Sequence, residues 1–508
     1  MSIINRGTGK TPTERHLAKL AEKSFLNLWS YPNVFNDKRP ARKAQGQELC
    51  DLLVVCDPYV LVFSDKHVEW LGDENLPLSW TRWYKRAIAH SVRQIRGAQR
   101  WIGAYPQRIF IDPDCSERLP VDIPPDGRRI VHGIVVAGGV RDACKRFFKG
   151  GIGSLALLAD IKGEATILNG EAPPFTIGDV DPSGPFVHVF DEASLDVVLR
   201  ELDTVTDLGE YLDKKAAMFR AGHFAAADGE EDLVAYYMTH MNESEEHDFS
   251  RPDGKSWSTD ERFGIEPGTY GNMRSNPQYI ARKKADRVSY IWDRLIEAFT
   301  VHMLAGTTVE LAAGTASLRE LEVGVRQMAL VPRFKRRQFG AGILEMTEKG
   351  KGRRRHCRAF LPDPEKPEHK TGFCVMTLKP PDPLPEGGYD RYRDVRRMML
   401  QTYVLHFLRE HPNLPAMVGI ALEPLGSGGG SEDVMYAEQF EWTEEEIQNL
   451  QKDKDQFDIA RPERIEWSRP KGNEWPEVPK SFVLYPDSQP AMNRKERRAA
   501  RARARRRK

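Results

Sequence analysis

The spacing of hydrophobic positions changes period several times in the first hundred residues, and each change predicts an element. Thr11, Pro12, Thr13 and Glu14 form a capping box with proline in the first turn, and Leu17, Leu20, Ser24 and Leu28 follow at helical spacing. Residues 48–56 are then an almost unbroken apolar run, as in a strand buried on both faces, and Asp57 and Pro58 turn it into a second such run over 59–66. A second helix is predicted over 80–102, capped by Ser79, with Tyr84, Ala87, Ile88, Ser91, Ile95, Ala98 and Ile102 on one side. Its other side gathers Arg82, Lys85, Arg86, Arg93, Arg96 and Arg100, and no acid interrupts 80–102. A strand over 108–111 closes this part of the chain.

Strand-like runs at 130–136, 155–158 and 186–190 are expected to extend the same sheet, and two amphipathic helices at 192–202 and 207–220 to close a first domain, 1–225. The acid-rich stretch 228–232 is read as the start of a connector, 226–310, with loop over 242–276 and a long helix over 277–304. A second α/β domain is expected over 311–460. A helix at 317–331, the basic run 333–337, strands at 357–361 and 372–378, a helix at 392–410 and a strand at 417–422 repeat the order helix, strand, strand, helix, strand. No aspartate stands where Asp51 does, so a degenerate copy would serve in binding or in pairing chains as a homo-oligomer. A tail, 461–508, completes the expected organisation.

Composition narrows the function classes. With 508 residues, 40% hydrophobic and 29% charged, the chain has room for more than one core. No stretch reaches membrane-spanning length and the start lacks a signal peptide's apolar core, so the expectation is a cytoplasmic protein with no membrane partner. Six cysteines form no CxxC pair and no His/Cys ligand cluster, which leaves neither a disulfide framework nor structural zinc. Gly7 to Thr11 lacks the first glycine and the preceding strand of a phosphate-binding loop, and the glycines at 426 and 428–430 do not open a helix. No nucleotide-binding loop is identified.

Charge is uneven. The net charge of +1 conceals a terminal segment, 494–508, with ten basic residues and one acid, so the other 493 residues carry a net −8. Arg501, Arg503, Arg505, Arg506 and Arg507 in this tail, together with the helical stripe, suit phosphate contact and make nucleic acid the expected partner.

The anomaly in the apolar pattern is Asp51, a carboxylate in a buried-strand run whose desolvation costs several kcal/mol, of order ~2–7, unless a cation answers it. With Ser64, Asp65 and Lys66 on the next strand, these residues resemble the PD-(D/E)XK, restriction-endonuclease-like nucleases, in which a strand aspartate precedes an acid-x-lysine triplet. The resemblance covers roughly residues 11–112 and implies an αβββαβ-type core with Mg²⁺, or Mn²⁺, as cofactor. It further implies Asp51, Glu22 and Glu48 as metal ligands, and Asp51, Ser64 and Lys66 as catalytic positions. Alternation along the strand places Ser64 and Lys66 on one face and Asp65 on the other, so serine replaces the family's second acid. Glu48 reaches the side of Asp51 only if the strand is bulged or barely begun there. Gln94 stands near where related nucleases aim a polar helix residue at the active site. The expected activity is metal-dependent hydrolysis of DNA or RNA phosphodiesters; the alternatives are a non-catalytic nucleic-acid-binding or scaffold protein and an interaction protein whose tail docks on a polyanion.

Overall fold

The computed structural model describes residues 4–38, 45–72, 75–258, 261–305, 318–350, 352–362, 370–424, 431–461 and 472–478. The basic tail 494–508, with Arg501, Arg503, Arg505, Arg506 and Arg507, lies outside the described residues, as does the glycine run 426–430. The protein is mixed α/β. Helix α1 (Pro12–Phe25) starts as expected, Thr11 Oγ1 accepting from the Glu14 N–H, and buries Leu17, Ala18, Ala21 and Phe25. Three antiparallel strands follow: β1 (Ser30–Asn36), β2 (Gln47–Cys56) and β3 (Tyr59–His67). β1 went unseen in the sequence because Pro32 and Asn33 break its apolar pattern, although all seven of its residues are buried.

Helix α2 (Leu76–Tyr84) is capped by Asn75, not Ser79, whose hydroxyl instead donates to the Asn75 carbonyl inside the first turn. A π-helical segment, Lys85–Ala89, joins it to α3 (His90–Ala104). The predicted apolar face is buried throughout: Tyr84, Ala87, Ile88, Ser91, Ile95, Ala98 and Ile102 all pack inward. β4 (Ile109–Phe110) pairs with β1, β5 (Ile130–Gly138) lies parallel to β3, and β8 (Val187–Asp191) lies parallel to β5, giving the order β4-β1-β2-β3-β5-β8.

Between β5 and β8 run α4 (Arg141–Phe147), β6 (Ala156–Lys162), α5 (Gly163–Leu168) and β7 (Thr176–Asp179). Here the expectation fails: the run at 155–158 does not extend the first sheet, because β6 pairs with β7 and with β9 (Ala226–Ala227) in a sheet of its own. Helices α6 (Glu192–Glu201) and α7 (Val205–Ala221) stand where expected.

The acid-rich stretch is a correction too. It opens helix α8 (Glu230–Thr239), with Glu230, Glu231 and Asp232 all buried. Glu230 meets the buried Lys215 ammonium at 2.6 Å and the Tyr211 hydroxyl, Glu231 accepts from Ser154, and Asp232 accepts the backbone N–H groups of Gly268 and Tyr270. A buried carboxylate survives only with such partners, and sequence alone does not display them. Helix α9 (Thr269–Ser275) ends the loop region, and the long helix breaks into α10 (Pro277–Ala285), a 3₁₀ turn over 286–289, and α11 (Tyr290–Leu304).

After α12 (Leu318–Ala329) the basic run begins a buried helix, α13 (Arg333–Lys349). Arg333 and Arg336 share Asp293 at 2.7 and 2.6 Å, Arg333 also holds Asp203 at 2.7 Å, and Arg337 meets Asp286 at 3.2 Å. A last sheet contains β10 (Arg355–Phe360), β11 (Thr371–Leu378), β12 (Ala416–Leu422) and β13 (Asp433–Glu438), flanked by α14 (Gly388–Glu410) and α15 (Glu444–Phe457). An antiparallel pair, a helix and a parallel strand recur in β10, β11, α14 and β12 as in β2, β3, α3 and β5. At the corner matching Asp51, Arg355 faces Leu378 and donates to the carbonyls of Phe457 and Asp458. One apolar core runs from Leu17 and Phe63 through Trp292 to Val325, Phe373 and Val418, so both halves share it.

Candidate functional site

The parting end of the β2–β3 hairpin, roofed by the first turn of α1, collects four carboxylates. The last rung of the ladder is Leu52–Phe63. Beyond it Asp51 takes over the pairing, a carboxylate oxygen accepting the Asp65 backbone N–H at 2.7 Å. β1 and β2 slip register between Val34 and Phe35, with Cys50 opposite the first and Glu48 opposite the second, so Leu49 is an extra residue. That bulge supplies the condition on which Glu48 reaches the side of Asp51. Asn33 adopts a left-handed backbone at φ 51°, which asparagine tolerates better than most residues. Its amide bridges Glu14 Oε2 at 2.9 Å and Glu48 Oε1 at 2.8 Å. Lys10 closes the group, its ammonium 2.8 Å from Glu48 and its backbone N–H donating to Glu14 at 2.7 Å.

Electrostatics mark Asp51 as the stressed member. Burial pushes its carboxyl up, the Asp65 N–H opposes, and the charges of Glu48, Glu14 and Asp65 push further, to about 7. Asp65 is also raised, first by burial and then by Glu14, against a hydrogen bond from Thr13 and the charges of His67 and His16. Its Oδ2 is buried without a hydrogen-bond partner. Glu14 differs. Burial pushes it up, but hydrogen bonds from Asn33, Lys10 and Thr11 outweigh that and hold it below the usual carboxylate range.

The sequence-predicted residues are only partly brought together. Asp51 and Glu48 belong to the group. Glu22 does not: it pairs with Arg6 at 3.1 Å, eight residues along α1 from Glu14, or about 12 Å at the helical rise of ~1.5 Å per residue. Ser64 is buried and donates to Gln94 Oε1 at 3.1 Å on the α3 side, while Lys66 stands exposed with no ion pair to Asp51 among the described residues. Asp65, set aside by the alternation argument, faces Thr13 and Glu14 of α1. Glu14, Asn33, Asp65 and Lys10 were missed: Glu14 reads as a helix cap, and Asn33 sits in the unseen strand. The signal available was the pair Glu14 and Asp65, each close to an element end that the pattern had already placed.

Among the described residues no three His, Cys, Asp or Glu side chains stand in metal-ligand arrangement. The Lys10 ammonium and the Asn33 amide occupy the carboxylates of Glu14 and Glu48 instead. One donor of the group stays open, the buried Asp65 Oδ2, which has no hydrogen-bond partner. On the basic helices Arg82, Lys85, Arg86, Arg93 and Arg100 are exposed, Arg93 with Glu164 at 3.3 Å. Arg96 is a correction to the solvent-facing stripe: its side chain is 13% exposed and is held by Asp181 at 2.5 Å, by Gln99 and by the Pro185 carbonyl.

The chain matches no protein-family model, no curated protein and no solved structure. No helix among the described residues is long and apolar enough to cross a membrane.

Proposed function

We propose that this chain is a divalent-metal-dependent nuclease that hydrolyses phosphodiester bonds of DNA or RNA, its Mg²⁺ or Mn²⁺ held by Asp51 with Glu48, Asp65 and Glu14. The observation that carries this reading is Asp51, a carboxylate pushed up to about 7 first by burial and then by three neighbouring acids, beside a buried carboxylate oxygen with no donor. Such a site spends stability on unanswered negative charge, which is what a cation site looks like before the cation binds. The order α1, β1, β2, β3, α2, α3, β4, β5 supports the restriction-endonuclease-like resemblance, with one change: the strand parallel to β3 is β5, beyond residue 112, whereas β4, the strand expected over 108–111, lies at the edge beside β1.

A divalent cation held by these carboxylates would polarise the scissile phosphate and lower the pKa of an attacking water. The chain's own residues do the rest. Asp51 and Asp65 orient each other through the hydrogen bond from the Asp65 N–H. Glu14 takes the helical-acid role expected of Glu22, and Asp65 the second-acid role that Ser64 cannot fill. Lys66, exposed at the end of β3, and Lys10, once released from Glu48, offer ammonium groups to phosphate oxygens. Ser64, tied to Gln94, packs the sheet against α3.

A second reading, a non-catalytic nucleic-acid binder or scaffold, is favoured by one observation: Lys10 already neutralises Glu48, as an internal substitute for a cation would. Labelled single- and double-stranded DNA and RNA separate the two. The nuclease reading expects cutting with Mg²⁺ or Mn²⁺, none in EDTA, and full activity in Glu22→Gln. Binding to these strands with no cutting under any metal selects the second reading.

A further inference from the structure

A second charged feature lies on helices α6, α9 and α10. Helix α10 and the end of α6 enclose an open groove of about 530 Å³, lined by Arg200, Arg274, Tyr279, Lys283, Lys284 and Arg287. Ile280 completes the lining, so five of its seven residues are cations. The acid beneath them, Glu201, is already paired: its Oε1 accepts the hydroxyls of Tyr270 at 3.0 Å and Tyr279 at 2.7 Å, and its Oε2 lies 2.8 Å from the Lys283 ammonium. Burial pushes Glu201 up, but Lys283 and the two tyrosines outweigh it and keep it below the usual range, so it stays an anion beneath the groove. Arg274, Lys284 and Arg287 are exposed and have no carboxylate partner among the described residues. Beside them Ile280 is 60% exposed, a single apolar contact in a cationic wall.

Ordinary solvated faces mix signs; a groove whose charged lining residues are all basic suits a chain of phosphates. Its place in the fold says which chain. Asp196 on α6 bonds His16 at 2.9 Å, and His16 is one of the charges acting on Asp65. Arg200 follows Asp196 by one helical turn, about 6 Å at ~1.5 Å per residue. The groove therefore begins one turn of α6 beyond the point where α6 meets α1, the helix that carries Glu14 and His16, on the α1 side of the sheet. The basic stripe of α2 and α3 lies on the other side, where Ser64 meets Gln94.

We propose that this groove holds the phosphodiester backbone of a nucleic-acid strand extending from the carboxylate site, with Arg274, Lys284 and Arg287 as its principal phosphate contacts and Ile280 against a base or sugar. The inference rests on the nuclease reading for the identity of the ligand, and its test is free of catalysis.

The test is the affinity of full-length protein for a fluorescein-labelled twelve-nucleotide DNA strand, in EDTA, across a salt titration. The triple reversal Arg274→Glu, Lys284→Glu and Arg287→Glu is expected to weaken binding at least tenfold at low salt. It should also flatten the log–log salt slope by about 2, three contacts at ~0.7 each. The neutral variant Lys284→Gln with Arg287→Gln should show the same change at smaller size, and unchanged melting shows that either variant folds. Reversing Arg82, Lys85 and Arg86 should change the slope less. Unchanged affinity and slope in the folded groove variants would overturn the proposal, whatever the cleavage assay gives. So would equal affinity for a four-nucleotide strand with full displacement by inorganic tripolyphosphate, which would make the groove a small-polyphosphate site. Loss of binding in the groove variants with no cutting by the wild type would keep the groove and remove the nuclease reading alone.

Discussion

Asp51→Asn should silence metal-dependent cutting by at least about a thousandfold, roughly 4 kcal/mol of transition-state stabilisation, and in the absence of metal should make the protein more stable at pH 8. The two effects come from one cause. In the folded chain the Asp51 carboxyl is pushed up to about 7 by burial and by Glu48, Glu14 and Asp65, whereas in the unfolded chain it titrates near ~3.9. Between those values the folded state binds the extra proton, so this group's contribution to stability falls as pH rises from about 4 to about 7 and is level beyond. At ~1.4 kcal/mol per pH unit the loss is at most about 4 kcal/mol, and asparagine, which does not titrate, escapes it. Urea unfolding of both proteins in EDTA from pH 5 to pH 8 measures it. A variant less stable than wild type at pH 8, or with the same pH dependence, contradicts the stressed-carboxylate account. Retained cutting contradicts the site assignment.

Asp293→Ala is expected to cost about 3–5 kcal/mol, because it removes the one carboxylate shared by Arg333 and Arg336. Arg336 is 1% exposed, and its other partners are the carbonyls of Val331 and Ala329, which satisfy its hydrogens without balancing its charge. Arg333 keeps Asp203, so the cost falls chiefly on Arg336. Adding Arg336→Met should restore most of the loss, since an apolar side chain of similar length leaves no uncompensated charge. The denaturation midpoint reads both. An unaffected single variant would mean that water reaches the guanidinium, and no rescue would mean that the arginine contributes through its carbonyl contacts instead.

These two aspartates also show how much the sequence could display. Asp51 stood out because a charge inside an apolar strand violates the local pattern, and the violation was visible without any partner. Asp293 and the basic run 333–337 showed nothing, since their meaning lies in pairs 40 or more residues apart. The acids opening α8 were misread for the same reason: a run of acids looks solvated until Lys215, Ser154 and the turn at Gly268 are brought beneath it. The apolar face of α2 and α3 was legible residue by residue, whereas Arg96 was not, its captors Asp181 and Pro185 arriving from a distant loop. Strict alternation rejected Asp65 and admitted Ser64. The two do face opposite sides, Ser64 toward α3 and Asp65 toward α1; the inference misled because beyond the last β2–β3 rung Asp51 bonds the Asp65 backbone and not a partner set by the ladder.

Asp51, Glu48, Asp65 and Glu14 are expected to form a divalent-cation site. Electron paramagnetic resonance of Mn²⁺ tests it directly, because free aqueous Mn²⁺ gives a sharp signal that weakens on binding. Titrated into the full-length protein at pH 7.5, Mn²⁺ is predicted to lose signal in proportion to protein up to a small integral number of ions, with competition by Mg²⁺, and to show no such loss in Asp51→Asn with Asp65→Asn. Equal binding by wild type and the double variant, or none by either, would contradict it.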